Sequence, residues 1–441
     1  MIRRLGVAFS LVIATAGSAP GESPAVRTVV LPDPGDKPKY HCWEPHIAAD
    51  PDHPDRVVLS AMYRGQIGQG EKARGDCLLA VWQSEDAGRT WSAPATPFVV
   101  EGRPVERLGA DPVLAFGPGK TCWFVGNDYD WRVPGTPNYS SVTIGRSEDS
   151  GKSWGKPLAV VELDNDKAGK GVVDKPWVAV DRSGGKRNGT VYVGWSRINE
   201  DTKQIELLCA ALPVGSKAFT AGVMLAEPIP LKNLQNAIHH VQLTVRPDGT
   251  LDAVWRRSDQ ADRVVHASSE DGGSTFSKPE PISTDEKTGV GQFPSLTATA
   301  EGRLLAAWSN KGDVSVSVRS AGKWSPSEPL AGERPDGVRL THPAVSASAN
   351  ALWALAYRYE KTPARLRVVL HRSTDGRKWE EYATIATREL AEGKRVQSPG
   401  DYTGLAAAKN HVYAAYVLPG DGKDGPGPRL YVSVLDVSAK R

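Results

Sequence analysis

One phrase recurs seven times along the chain: a proline or polar residue, an alternating strand, a Gly/Asn/Asp turn, and a second strand that closes on a large aromatic. Such a repeat constrains the fold tightly, because each unit is too small to bury its own apolar face and must stack on its neighbours. The first strands begin near Glu44-Pro45-His46, Asp111-Pro112-Val113, Lys175-Pro176-Trp177, His240-Val241-Gln242, Phe293-Pro294-Ser295, His342-Pro343-Ala344 and Asp401-Tyr402-Thr403. The second strands end at Tyr63, Asn127, Trp195, Trp255, Trp308, Tyr357 and Tyr416, so Asn127 alone breaks the aromatic rule. A third strand follows in each unit, from Leu78 to Trp82 in the first and Leu430 to Leu435 in the last. Short strands at this spacing, punctuated by 44 Gly and 33 Pro, predict an all-β chain and disfavour helix-rich folds.

Four of the third strands run into a related turn: Ser84-Glu85-Asp86-Ala87-Gly88-Arg89-Thr90-Trp91, Ser147 to Trp154, Ser269 to Phe276, and the shortened Ser373 to Trp379. A short Ser or Asp side chain accepts bonds from nearby backbone N–H groups, Gly permits positive φ, and the closing aromatic packs between sheets. These octets resemble the Asp-box, S-x-D-x-G-x-T-W, of the sialidase superfamily of β-propellers, also called BNR repeats. The resemblance spans essentially the whole chain beyond residue 19. It implies that Asp86, Asp149, Asp271 and Asp375 are fold residues on the face away from the active site.

The last unit has three strands before the chain ends, while an unassigned strand, Val26 to Leu31, precedes the first unit. Joining them completes a seventh sheet and removes the open edges that invite aggregation. The prediction is therefore a seven-bladed β-propeller closed by the N-terminal strand, with the six-bladed form of catalytic sialidases as the alternative. In that geometry Cys42 faces Cys77 and Cys122 faces Cys209, and two disulfides are expected.

Residues 1–19 carry Arg3 and Arg4, an apolar run from Leu5 to Ala16, and small residues at Gly17, Ser18 and Ala19, the order of a signal peptide. One domain, 20–441, follows, and the expected location is secreted or periplasmic. No stretch suffices for a bilayer span of ~20 residues. With 54 Lys+Arg against 51 Asp+Glu, the chain has no basic field that would argue for nucleic acid.

Starts of first strands and loops from second to third strands share the face opposite the Asp-box turns, which makes that face the functional candidate. Around its funnel are expected Glu44, Asp111, Asp174, Lys175, His239, His240, Gln292, His342, Asp401 and Tyr402, with Asn127 to Arg132 and the arginines Arg64, Arg197, Arg256, Arg257 and Arg358 on the loops. Guanidinium groups hold carboxylates through paired bonds, so Arg64, Arg256, Arg257 and Arg358 are candidates to clamp an acidic sugar, beside Asp174, Lys175, His240 and His342. The resemblance implies Tyr402 as nucleophile, in Gly400-Asp401-Tyr402-Thr403-Gly404-Leu405, with Glu44 or Asp401 as its activator and Asp111 or Asp128 as general acid. The sialidase Arg-Ile-Pro triplet is replaced here by Trp43-Glu44-Pro45, so the first clamp arginine is missing. No cofactor and no metal site is expected. The reading is a propeller that recognises a glycan or another small anionic ligand, with glycoside hydrolysis as the implied chemistry; the alternative is a non-catalytic propeller binding a polysaccharide or protein.

Overall fold

The computed structural model describes residues 12–14, 25–31, 42–67, 74–100, 103–104, 109–130, 139–164, 170–231, 239–257, 263–282, 293–310, 312–332, 335–390, 399–420 and 428–438. Every regular element among them is a strand, and no helix is long and apolar enough to cross a membrane. Apart from the short pair Val99–Val100 and Arg103–Pro104, the described strands form seven antiparallel sheets in a ring. Their innermost strands are Cys42–Ala49, Gly109–Phe116, Gly171–Val180, Val241–Val245, Ser295–Ala298, Val338–Ser348 and Gly404–Ala408. We number the sheets blades 1 to 7 in that order.

The expected closure is present. Val26–Val30 pairs antiparallel with Arg429–Asp436, from Val26 opposite Leu435 to Val30 opposite Tyr431, and becomes the fourth main strand of blade 7. The short strand Val12–Ala14 adds outside it. The rest of the expected signal peptide lies outside the described residues.

Stacking of blades on one another buries the aromatics that end the second strands. Trp255 and Tyr416 are 0% exposed, Trp308 1%, Trp195 and Tyr357 2%, and Tyr63 8%. Burying a large apolar side chain contributes about 1.5–3 kcal/mol, so these six positions hold much of the ring together. Asn127, at the seventh, is equally buried, and its amide must find partners inside.

The four Ser–Asp turns share one hydrogen-bond pattern. In the first, Ser84 Oγ donates to Asp86 Oδ1 at 2.9 Å and accepts from Gly88 N at 2.8 Å, while Asp86 accepts from Thr90 N at 2.8 Å and Thr90 Oγ1 at 2.7 Å. The turns at Ser147, Ser269 and Ser373 repeat the Ser–Asp and Ser–Gly contacts.

The expected disulfides do not form. Cys42 and Cys77 lie on the first and third strands of blade 1 with Val57–Ile67 between them, which puts their backbones two strand spacings, ~9–10 Å, apart. Cys122 packs in the layer between blades 1 and 2, whereas Cys209 packs between blades 3 and 4, with whole sheets intervening.

Candidate functional site at the channel mouth

Four innermost strands carry the same irregularity. At Glu44-Pro45, Asp111-Pro112, Lys175-Pro176 and His342-Pro343 the ladder skips two residues, and the residue before proline has positive φ, between 51° and 57°. Proline cannot donate to a ladder, so a bulge is the way for a strand to accommodate it. The left-handed conformation costs a non-glycine residue on the order of 1–3 kcal/mol and concentrates at functional sites. Its effect here is to bring the side chains of Glu44, Asp111 and Lys175 together at the axis, from three different blades.

Lys175 Nζ is 2.5 Å from Asp111 Oδ1, 2.5 Å from Asp401 Oδ2 and 3.3 Å from Glu44 Oε1. The Asn127 side chain donates from Nδ2 to Asp111 Oδ2 at 2.6 Å and to Asp174 Oδ1 at 3.2 Å, which is where its N–H groups find partners. Asp401 N donates to Glu44 Oε1 at 3.2 Å, and Glu44 N donates to Pro399 O at 3.0 Å. Gly400 makes that approach feasible: at φ 105° a Cβ there would sit 2.4 Å from Glu44 Cγ. Blades 1, 2, 3 and 7 thus meet in one ion cluster; of the carboxyls paired with Lys175, Asp401 is the most open, at 29% against 5% for Glu44 and 2% for Asp111.

Burial and the neighbouring Asp111 and Asp401 charges push the Glu44 carboxyl well above its ordinary range, against the pull of Lys175. Burial also raises Asp111, but Lys175 and the hydrogen bonds of the cluster outweigh it and hold this carboxyl below the usual value. Asp174 is pushed up to about 7, by burial first and Asp111 second. Lys175 is raised: burial lowers it, and the surrounding carboxylates more than compensate. The cluster therefore pushes two neighbouring carboxyls in opposite directions, Glu44 toward its protonated form and Asp111 toward its ionised one.

A layer of rings lies under the cluster. Trp177 packs against His46, His240 and Tyr402 with centroids 5.1, 5.0 and 6.2 Å away, and His240 packs 4.7 Å from Phe293. Lys175 Nζ is 5.8 Å from the Phe293 centroid. His46 Nδ1 accepts a bond from Leu114 N at 3.1 Å, which fixes its proton on Nε2. Burial pushes both His46 and His240 down to about 3, so both rings are neutral. Neither nitrogen of His240 has a hydrogen-bond partner among the described residues. Below the rings the channel encloses about 180 Å³. Its wall is knitted by side chains that accept from the next blade's backbone: Gln242 from Leu296 N, Ser295 from Val345 N and Ser346 from Ala407 N.

Of the residues expected at the funnel, Glu44, Asp111, Asp174, Lys175 and Asp401 are brought together, with His240 beneath them. His342 instead joins blades 6 and 7, its Nε2 3.0 Å from Gly400 O and its Nδ1 2.9 Å from Thr341 Oγ1. Tyr402 is 5% exposed, and its hydroxyl donates to Pro112 O at 3.2 Å. Burial and the nearby Glu44 and Asp111 charges push its phenol well up, the opposite of what a phenolate nucleophile needs. Arg358 does not join the mouth: it pairs with Glu360 at 3.1 Å and with Glu381 of the outermost strand at 2.5 Å. Arg197 pairs with Glu206 at 3.4 Å, and Arg256 and Arg257 lie buried in blade 4. The side chains of Arg64 and Asp128, and residues Trp131, Arg132 and Gln292, lie outside the described residues.

Sequence reasoning missed Trp177, His46 and Phe293 as channel residues. His46 and Trp177 occupy one repeat position, directly after the bulge proline, and that shared offset was the available signal. Asn127 had a signal of its own, as the single departure from the aromatic rule.

No protein-family model matches the chain, and no curated protein matches it. Among solved structures it is similar to a protein of unknown function from Dyadobacter fermentans, with 15% identity over 93% of this chain and 99% of that one and a TM-score of 0.49. It is also similar to the intramolecular trans-sialidase of Ruminococcus gnavus in complex with oseltamivir carboxylate, with 14% identity, 73% and 90% coverage and a TM-score of 0.48. An α-L-arabinanase of Penicillium chrysogenum complexed with arabinobiose gives 13% identity, 98% and 100% coverage and a TM-score of 0.46.

Proposed function

We propose that the chain is an exported, glycan-recognising propeller whose sugar site is the mouth over Glu44, Asp111, Lys175 and Asp401, and that this mouth hydrolyses a glycosidic bond. Export rests on the arrangement of residues 1–19, and the glycan on the likeness of the four Ser–Asp turns to Asp-boxes. The observation that carries the reading is the contact of three carboxyl groups, Glu44, Asp111 and Asp401, with one ammonium, in surroundings that push Glu44 toward its protonated form. Glycoside hydrolysis uses such a division: the protonated acid gives its proton to the leaving oxygen, and a carboxylate serves the sugar carbon or its water. Glu44 and Asp401 oxygens that touch one nitrogen are no more than roughly 6 Å apart, near the spacing of retaining enzymes. Tyr402 supports the site from below.

A second reading is recognition without hydrolysis, and one observation favours it. Lys175 Nζ occupies the space between the carboxyl groups, where a reacting sugar carbon would have to stand.

A panel of aryl glycosides, fluorogenic sialosides included, separates the two. Hydrolysis requires turnover that Glu44→Gln and Asp401→Asn abolish and Tyr402→Phe retains. Glycan binding with no turnover on any substrate gives the second reading, and loss of turnover in Tyr402→Phe returns the phenol to the role of nucleophile.

A further inference from the structure

The charge inventory of the mouth names the class of sugar it takes, an inference that rests on the glycan reading above. Four carboxyl groups, Glu44, Asp111, Asp174 and Asp401, surround the single ammonium of Lys175. An ammonium has three N–H donors, and Lys175 already meets Asp111, Asp401 and Glu44. The Asn127 amide is likewise committed, to Asp111 and Asp174. Among the described residues of the cluster, the ammonium and the amide that would grip a carboxylate ligand are consumed by its own carboxyl groups.

What the mouth does present is acceptor. Asp401 meets Lys175 through Oδ2, and at 29% it is more open than the other two carboxyls paired with that lysine, Glu44 at 5% and Asp111 at 2%. Arg358, which would have supplied a counter-charge, is turned to Glu360 and Glu381. Beneath the cluster lie the rings of Trp177, Phe293 and Tyr402, and ring faces attract cations. Among them His240 is 1% exposed with neither nitrogen hydrogen-bonded, a second polar group directly under the mouth that is left over for a ligand or its water.

We propose that the mouth selects an amine-bearing sugar, whose ammonium is taken by Asp401, and rejects carboxylate-bearing sugars such as sialic acids. A proton on Glu44 lowers the negative charge of the site without reversing it, because Asp111 and Asp401 still face one lysine. An anionic sugar meets like charge where water screens it poorly, and a cationic one meets its complement.

The test titrates the full chain calorimetrically with three probes at mildly acidic pH, where a sugar amine is charged: a glucosamine trimer, its N-acetylated counterpart and 3′-sialyllactose. The expected order is the free amine about tenfold tighter than the acetylated trimer and sialyllactose weakest, with the gap narrowing in high salt. Asp401→Asn removes the preference and Asp401→Glu keeps it. Sialyllactose binding as tightly as the glucosamine trimer, or a preference untouched in Asp401→Asn, overturns the inference while leaving the glycan reading standing. If none of the three binds to a protein with an intact melting transition, the glycan reading falls as well.

Discussion

The hydroxyl of Tyr402 in blade 7 donates to the carbonyl of Pro112 in blade 2, 3.2 Å away, so two sheets separated by blade 1 touch across the channel. The bond reaches the carbonyl that follows the strained Asp111, and it helps hold that bulge in place. Tyr402→Phe removes one buried hydrogen bond while keeping the ring against Trp177 and His240. A loss of about 1 kcal/mol in unfolding free energy is expected, with glycan binding within twofold of wild type. Chemical denaturation and a binding titration check the two halves separately.

Lys175→Met removes the cation and leaves Glu44, Asp111 and Asp401 facing one another. Breaking a buried ion cluster by deleting one member costs about 3–5 kcal/mol, because the remaining charges stay desolvated. Denaturant midpoints measure this. A loss below about 1 kcal/mol would mean that water already reaches the cluster.

The pH dependence of stability has a definite sign. Asp174 has a folded-state value of about 7 against an unfolded one near ~3.9, so the folded protein binds the extra proton. Its contribution is fully present below about pH 4 and is lost as pH rises through 7. Asp271 is held down to about 2, chiefly by hydrogen bonds from Thr275, so its contribution is present above about pH 4 and lost as pH falls toward 2. The two limbs place the most stable condition near mild acidity. Thermal melts across pH should show stability falling between about pH 4 and 7, and Asp174→Asn should make that limb shallower while leaving the acid limb unchanged, the raised Glu44 carboxyl keeping part of the slope.

Ser269→Ala tests whether the Ser–Asp turns serve the fold. The Ser269 hydroxyl is buried, donates to Asp271 and accepts from Gly273 N. Its loss is expected to cost about 1–2 kcal/mol, with no change in ligand affinity, since the turn lies on the face opposite the mouth. A change in affinity would place the turn in the site.

Thiol counting checks the cysteines. Denatured, unreduced protein should release four thiols to a colorimetric disulfide reagent. In the native protein Cys122 and Cys209 should react slowly, because burial pushes both thiols up, Cys209 to about 12.

Much of the ring was legible, because the sequence signals are local and repeated. The X-Pro starts, the closing aromatics and the Ser–Asp turns each recur at fixed offsets, and the missing strand of blade 7 follows from the count. The site was legible as far as a repeat position indicates a place on the ring: Glu44, Asp111, Lys175 and Asp401 all start innermost strands. That they converge on one lysine depends on bulges that turn the side chains of Glu44, Asp111 and Lys175 toward the axis, and period-2 reasoning along a strand does not register a bulge. Arg358 was misread for a related reason. It follows a buried aromatic near a strand end, yet its partners Glu360 and Glu381 come from its own blade, where cross-strand pairing outcompetes the channel. Cys122 and Cys209 share an end of the molecule in a strand diagram but belong to different packing layers, and only the stacking of whole sheets separates them.

Blade 7 is assembled from residues some four hundred positions apart, with Val26 opposite Leu435. Val26–Val30 therefore waits for a partner some four hundred residues further along the chain, and until then both flanks of the ring expose unpaired edges. Trimming that stops short of Val26 leaves the circle whole, while a cut a few residues further on removes the strand that closes it. The sheet itself thus sets the point beyond which removing residues opens the ring.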